Sequence, residues 1–214
     1  DDDLDAHHQL RLSRSPTLLD VKTEASFRAI SNHLIGRQQP DGSWIPGNRF
    51  RTQQRRSQQE SKEVTTMWSV LALGTVEKNA AGRTKSCQKA LTWLKEKRPG
   101  KSNESQVLHL LIQHEFGEAD RKRELLKALL GQQNGDGGWS WMNGEASDAL
   151  ATGLSLYALT ITGPSEISAI HSAQRFLLNT QQKDGSWVVP TTLTTSKLAE
   201  CGVPNYWGTA WATI

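Results

Sequence analysis

The feature that most constrains this chain is one turn written three times. GRQQPDGSW ends at Trp44, GQQNGDGGW at Trp139 and NTQQKDGSW at Trp187. Each copy follows a stretch with helical apolar spacing and precedes a run of small and apolar residues: TTMWSVLAL, ALATGLSLYAL and GTAWATI. The interval from Trp139 to Trp187 is about half that from Trp44 to Trp139, so one degenerate unit belongs between the first two copies. Residues Ser86 to Gly117 supply it, keeping a helix, turn, helix pattern without the glutamines or the Asp-Gly turn. Units of this size are too small to bury an apolar face alone and are stable only when stacked.

Periodicity predicts an all-α chain. The first helix of a pair carries one apolar stripe, as at Phe27, Ile30, Leu34 and Ile35, or at Ile167, Ile170, Phe176, Leu177 and Leu178. The second helix is apolar on more than one face, as at Val64, Met67, Trp68, Leu71 and Ala72, and again from Val107 to Ile112. Second helices therefore belong inside and first helices outside. The expected organisation is an N-terminal arm over residues 1–20 and a repeat domain over 21–214, with hairpins at about 23–77, 83–117, 120–162 and 166–214. Ser102 or Asn103 suits one N-cap and Asp148 or Ser147 another, while Gly163-Pro164 should stop a helix. Two polar excursions, Arg49 to Gln59 and Pro190 to Pro204, are expected to form contacts at one rim.

Composition excludes several classes. Net charge is only +3, and the RFRTQQRR run from Arg49 to Arg56 has neither helical spacing nor interleaved aromatics, which predicts a solvated loop and no nucleic-acid partner. No apolar run approaches the ~20 residues of a membrane span. Cys87 and Cys201 lack the spacing of a metal or redox motif; a structural thiol is expected, and one disulfide stays open for an exported chain. His7 and His8 have no third ligand nearby, so neither metal nor cofactor is expected. The chain begins DDDLD without Met and stops at WATI inside an expected helix, so both ends are read as trimmed. The compartment expected is exported or periplasmic.

QQPDGSW, QQNGDGGW and QQKDGSW resemble the QW motif of the squalene and oxidosqualene cyclase and protein prenyltransferase β-subunit superfamily. The resemblance runs from about Val21 onward and is nearest to bacterial squalene-cyclase-like repeat proteins of undefined activity. It implies an α/α toroid, here a partial ring of about four helical hairpins with an open end. The repeat-turn residues it marks are Gln38, Asp41, Gly42 and Trp44; Gln132, Asp136, Gly138 and Trp139; and Gln181, Asp184, Gly185 and Trp187. In physical terms the glutamine amides can satisfy helix-end carbonyls, Asp-Gly supplies the turn, and the Trp ring is expected to stack on polar groups of the neighbouring copy.

Class II cyclases protonate substrate with the central Asp of Asp-x-Asp-Asp-Thr-Ala, and the resemblance places that motif at an inner-helix start. Aligned on Thr152, its positions fall on Asp148, Ala149, Leu150 and Ala151, so the proton donor has become Leu150. Aligned on Thr66 they fall on Lys62, Glu63, Val64 and Thr65, and on Thr209 they fall on Asn205, Tyr206, Trp207 and Gly208. The Asp, Cys and His zinc ligands of the prenyltransferases are not found either. The expected function is a non-catalytic repeat module, a scaffold or binding subunit in a larger extracytoplasmic assembly, with other protein subunits or missing domains as partners. The alternative is a terpenoid cyclase- or prenyltransferase-like enzyme on an isoprenoid or other hydrophobic substrate, or a binding module for a hydrophobic ligand or polysaccharide. For those readings Glu63, Trp68, Asp148, Tyr157 and Trp211 are the candidate ligand-binding residues.

Overall fold

The computed structural model describes residues 21–47, 55–75, 81–163, 167–190, 192 and 203–214. The expectations for the N-terminal arm, His7 and His8, Arg49 to Gln54, Pro164 and Cys201 lie outside the described residues. Within them the chain is all-helical: α1 (Val21–Arg37), α2 (Gln58–Thr75), α3 (Ala81–Leu94), α4 (Asn103–Phe116), α5 (Ala119–Leu130), α6 (Ala149–Thr162), α7 (Ile167–Thr180) and α8 (Val203–Ala212). No described helix is long and apolar enough to cross a membrane. The helices fall into two compact units, one holding α1 to α3 and the other holding Arg55, Arg56 and α4 to α8. The division lies between Arg98 and Pro99, inside the second hairpin expected from sequence.

In the first unit α2 is buried from Glu60 to Leu73 except at Lys62. Val64, Met67, Trp68, Val70, Leu71 and Leu73 are packed away from water, and Ser61, Thr65, Thr66 and Ser69 are buried among them. A helix apolar all round has no solvent face to offer, which is why α1 and α3 both pack on it. Ser69 Oγ donates to Thr65 O (2.9 Å) and Thr66 Oγ1 to Lys62 O (2.7 Å), so these small hydroxyls are satisfied by their own helix. α1 contributes Ser31 and Leu34 to the core, and α3 contributes Ser86, Cys87, Ala90 and Leu94.

The second unit is built around α6, against which α4, α7 and α8 pack, with α5 on α4. Ser102 caps α4 by accepting from Ser105 N–H, and Asp148 caps α6 by accepting from Ala151 N–H. α6 ends at Thr162, before Gly163, whose φ of 114° other residues rarely adopt. α5 and α7 bury one stripe each: Leu125 and Leu129, and Ala169, Ala173, Phe176 and Leu177. α6 and α8 approach at Gly153, where a Cβ would lie 2.5 Å from the Trp211 carbonyl carbon. The degenerate turn before α4 has replaced the lost Asp-Gly chemistry with backbone pairing to the following repeat. Asn103 N–H donates to Trp141 O (2.9 Å), and Ser102 bridges Met142.

The three intact turns share one set of bonds. The N–H of Gln39, Asn134 and Gln182 donates to the carbonyl of Ser43, Gly138 and Ser186, and the N–H of Gly42, Gly137 and Gly185 closes back on Gln39, Asn134 and Gln182. Gly42, Gly137 and Gly185 have φ of 95°, 91° and 84°, the region where a Cβ is penalised. Asp41, Asp136 and Asp184 accept the N–H two residues on, the Asx-turn that makes Asp useful here. Trp44, Trp139 and Trp187 are buried in their own hairpins, each indole N–H donating to the carbonyl of Leu34, Leu129 or Leu177 at 2.8, 2.8 and 2.9 Å. Their backbone N–H groups donate to Thr66, Thr152 and Thr209 Oγ1 on the second helix, tying turn to hairpin.

Candidate functional site

Asp148 stands where the class II acid motif would begin, at the start of a buried helix. Its Oδ1 accepts from Ala151 N–H (2.8 Å) and its Oδ2 from Trp141 N–H (2.7 Å). Burial pushes its carboxyl up to about 6, against the N–H groups of Ala151, Trp141 and Leu150, which favour the anion. Asn205 occupies the same register in the next hairpin, and its Oδ1 accepts from Val189 N–H (2.8 Å), the residue two past Trp187. In the first hairpin that residue is Pro46, which has no N–H, and the register position is Lys62. The position accepts one N–H wherever there is one to accept. Leu150, at the proton-donor register, is buried.

The candidate residues are divided between the two units. Glu63 and Trp68 belong to the first unit: Glu63 Oε1 accepts from Gln59 Nε2 one turn back (2.7 Å), and Trp68 is completely buried in α2. In the second unit Tyr157 and Trp211 do meet, edge to face, with ring centroids 5.5 Å apart and planes at 70°. Such a pair contributes about 0.5–1.5 kcal/mol beyond its buried area, which accounts for both rings as packing between α6 and α8. Asp148 lies nine residues before Tyr157, about 13 Å along the helix axis. Among the described residues no three His, Cys, Asp or Glu side chains stand as a metal-binding group.

One cluster had no periodic signature. The arginine run expected to be solvated is not, where it is described. Arg56 is buried in an ion pair with Glu104, with its guanidinium 5.6 Å from the centre of the Trp141 ring, and Arg55 pairs with Glu145. Arg55 N–H also donates to Thr192 O (3.0 Å), so the two polar excursions do touch each other. Close by in sequence, Asn103 Nδ2 donates to Ser155 Oγ (2.8 Å), joining α4 to α6. A buried Arg–Glu pair is weak evidence for stability and better evidence for a fixed register, because either partner alone is a buried charge.

The repeat turns divide into two kinds. Gln38 Nε2 donates to Gly42 O (2.9 Å) within its turn and to Ser86 O (2.9 Å) on α3, the first helix of the next hairpin. Gln133 Nε2 likewise donates to Gly137 O (2.8 Å) and to Ala169 O (2.9 Å) on α7. The register thus makes Gln133, and not Gln132, the counterpart of Gln38, and Gly137, and not Gly138, the counterpart of Gly42. In both turns the incoming helix also lies on the glycine, so that a Cβ on Gly42 or Gly137 would be 2.6 Å from the carbonyl oxygen of Lys89 or Ser172. Gln181 Nε2 donates to Gly185 O (3.0 Å) and to no second carbonyl among the described residues. A Cβ on Gly185 would meet nothing nearer than Gln181 Nε2 at 3.9 Å. The third turn has the shape of the other two, and among the described residues no helix lies across it.

No protein-family model and no curated protein matches this chain.

Proposed function

We propose that this chain is a non-catalytic repeat module of the squalene-cyclase type, an arc of an α/α toroid serving as a scaffold or binding subunit in a larger extracytoplasmic assembly. The observation that carries the reading is the equivalence of Asp148 and Asn205. Both hold the N–H two residues past a repeat Trp. An amide has no proton to give at ordinary pH, so the shared property of the position is its acceptor oxygen, not acidity. Leu150 and the Gln59-bound Glu63 leave no other acid in the register of the class II motif.

A terpenoid cyclase- or prenyltransferase-like enzyme is the second reading. Burial favours it by raising Asp148 to about 6, nearer the range of a general acid. Against it, both oxygens of that carboxyl are already held by backbone N–H groups. The test is incubation of the purified chain with squalene, oxidosqualene and a prenyl diphosphate, with products resolved by mass spectrometry. No product is expected. A product that disappears in Asp148→Asn, with the variant still folded, would overturn the scaffold reading in favour of the enzyme.

A further inference from the structure

Asparagine is followed by glycine at two places in this chain, Asn134-Gly135 in the second repeat turn and Asn143-Gly144 in the loop that follows it. The pair is chemically special because glycine has no Cβ to keep a side-chain carbonyl off its backbone nitrogen. That nitrogen can attack the asparagine Cγ: an N–C bond forms, the bond from Cγ to Nδ2 breaks, and the amide leaves as ammonia with the glycine N–H proton. Water then opens the cyclic imide at either carbonyl, its hydroxide going to carbon and its proton back to the glycine nitrogen. The product is aspartate, or isoaspartate with the main chain running through the side chain. Nothing is oxidised or reduced.

The two sites differ in what holds the asparagine. Asn134 is half-buried, and its Nδ2 donates to Glu145 O (3.2 Å) and to Ser147 Oγ (2.9 Å). Its backbone is fixed as well, with its N–H on Gly138 O (2.9 Å) and its carbonyl taking Gly137 N–H (2.9 Å). Cγ cannot turn onto the Gly135 nitrogen without giving up the side-chain bonds. Asn143 is exposed, and its side chain makes no hydrogen bond among the described residues. Gly144 is exposed too, and its N–H is given to no acceptor among them. A Cβ built on Gly144 would meet nothing within 4 Å, so the approach is open.

We infer that Asn143 is a site of spontaneous conversion to aspartate and isoaspartate, with water as the co-reactant, and that the hydrogen bonds of Asn134 protect it from the same reaction. Isoaspartate puts Cβ into the main chain between Met142 and Gly144, inside the turn that Glu145 N–H closes on Met142 O (3.1 Å). Glu145 is also the residue whose carboxylate pairs with Arg55 and whose carbonyl holds Asn134. Lengthening the turn loosens both contacts. The first conversion therefore prepares the second. The inference stands apart from the scaffold and enzyme readings, because the reaction needs neither a ligand nor turnover.

The test is to hold the whole purified chain at neutral pH and body temperature and to follow it, against an unheated sample, by tryptic digestion and fragmentation mass spectrometry. Both sites lie on one peptide, Ala128 to Arg175, which has no Lys or Arg before its end. Conversion at Asn143 should run at least about tenfold faster than at Asn134, a barrier difference of about 1.4 kcal/mol that the two side-chain bonds of Asn134 are enough to supply. An isoaspartyl methyltransferase should label the Asn143 product, and peptide converted at both sites should outweigh peptide converted at Asn134 alone. In urea the two rates should draw together. Asn143→Gln should abolish the fast conversion and slow the one at Asn134. An Asn143 that survives in the folded chain as long as Asn134 overturns the inference. So does a tenfold gap that persists in urea, which would put its cause in the neighbouring sequence and not in the hydrogen bonds.

Discussion

The turns at Trp44 and Trp139 and the turn at Trp187 are the same local object in two surroundings. All three fold the glutamine back on the glycine carbonyl and fix the indole on the first helix of the hairpin. Among the described residues, the first two have a following helix laid across them and the third does not. The turn is therefore formed by its own residues and does not need its neighbour in order to exist. The neighbour is added to a surface that is already in place, and this separates the residues that build the turn from those that use it.

The largest effect should fall on the builders and ignore the surroundings. Trp44→Ala, Trp139→Ala and Trp187→Ala each remove a buried ring and strand a helix carbonyl, a loss of about 3–5 kcal/mol in urea unfolding. Because the indole bond is internal to the hairpin, the three losses should agree. A much smaller loss at Trp187 would break the comparison. Glycine should split the copies instead. Gly137→Ala meets both an unfavourable φ of 91° and the Ser172 carbonyl oxygen at 2.6 Å, a cost of about 2–4 kcal/mol. Gly185→Ala meets only its φ of 84°, about 1–2 kcal/mol.

Asp148 and Asn205 extend the comparison to charge. The Asp148 carboxyl is raised by burial from 3.8 to about 6, so between those values the folded chain keeps a proton that the unfolded chain has released. Stability from this group is therefore fully present below pH 4 and lost as pH rises through 6, a change of about 2–3 kcal/mol. Asp41 and Asp184, held below the usual carboxylate range by the hydroxyl and N–H of Ser43 and Ser186, act with the opposite sign on acidification. Wild type should accordingly be compared with Asp148→Asn by denaturant titration at pH 4.5 and 7.5. The variant should trail wild type most at the lower pH, with the gap narrowing toward the higher one. A gap independent of pH would mean that the carboxyl titrates in the folded chain as it does in the unfolded one.

The turns were legible in the sequence because their bonds are local: Asp, Gly and Trp stand at fixed offsets and each offset has one physical use. The buried second helices were legible for a similar reason, since α2 and α6 carry apolar residues on more than one face. The one-residue error at Gln132 came from the extra residue of the second copy, where Asn134-Gly135 stands between the paired glutamines and Asp136 in place of the single Pro40 or Lys183. Anchoring on Asp136 and Trp139 gives Gln133, with Asn134 in the place of Gln39. Arg56 with Glu104, Asn103 with Ser155 and Tyr157 with Trp211 were not legible as pairs, because partners far apart in sequence leave no period to find. Asp148 was marked both as an N-cap and for its acidity; its bond from Ala151 N–H was legible as a cap, and its second bond, from Trp141 N–H across the turn, was not.

The smallest effect separates using a turn from building it. Gln133→Ala loses bonds to Gly137 O and Ala169 O, both in a half-buried setting, for about 1–2 kcal/mol in urea unfolding. Gln38→Ala should match or exceed this, since Ser86 Oγ also donates to Gln38 Oε1 (2.7 Å) and would lose its acceptor. Gln181→Ala removes one exposed bond, to Gly185 O, and in dilute solution should cost about 0.5 kcal/mol or less. The order Gln38, Gln133, Gln181 then ranks the copies by what lies across them among the described residues. A Gln181 loss as large as that of Gln133 would mean that the third turn holds a second carbonyl as the other two do.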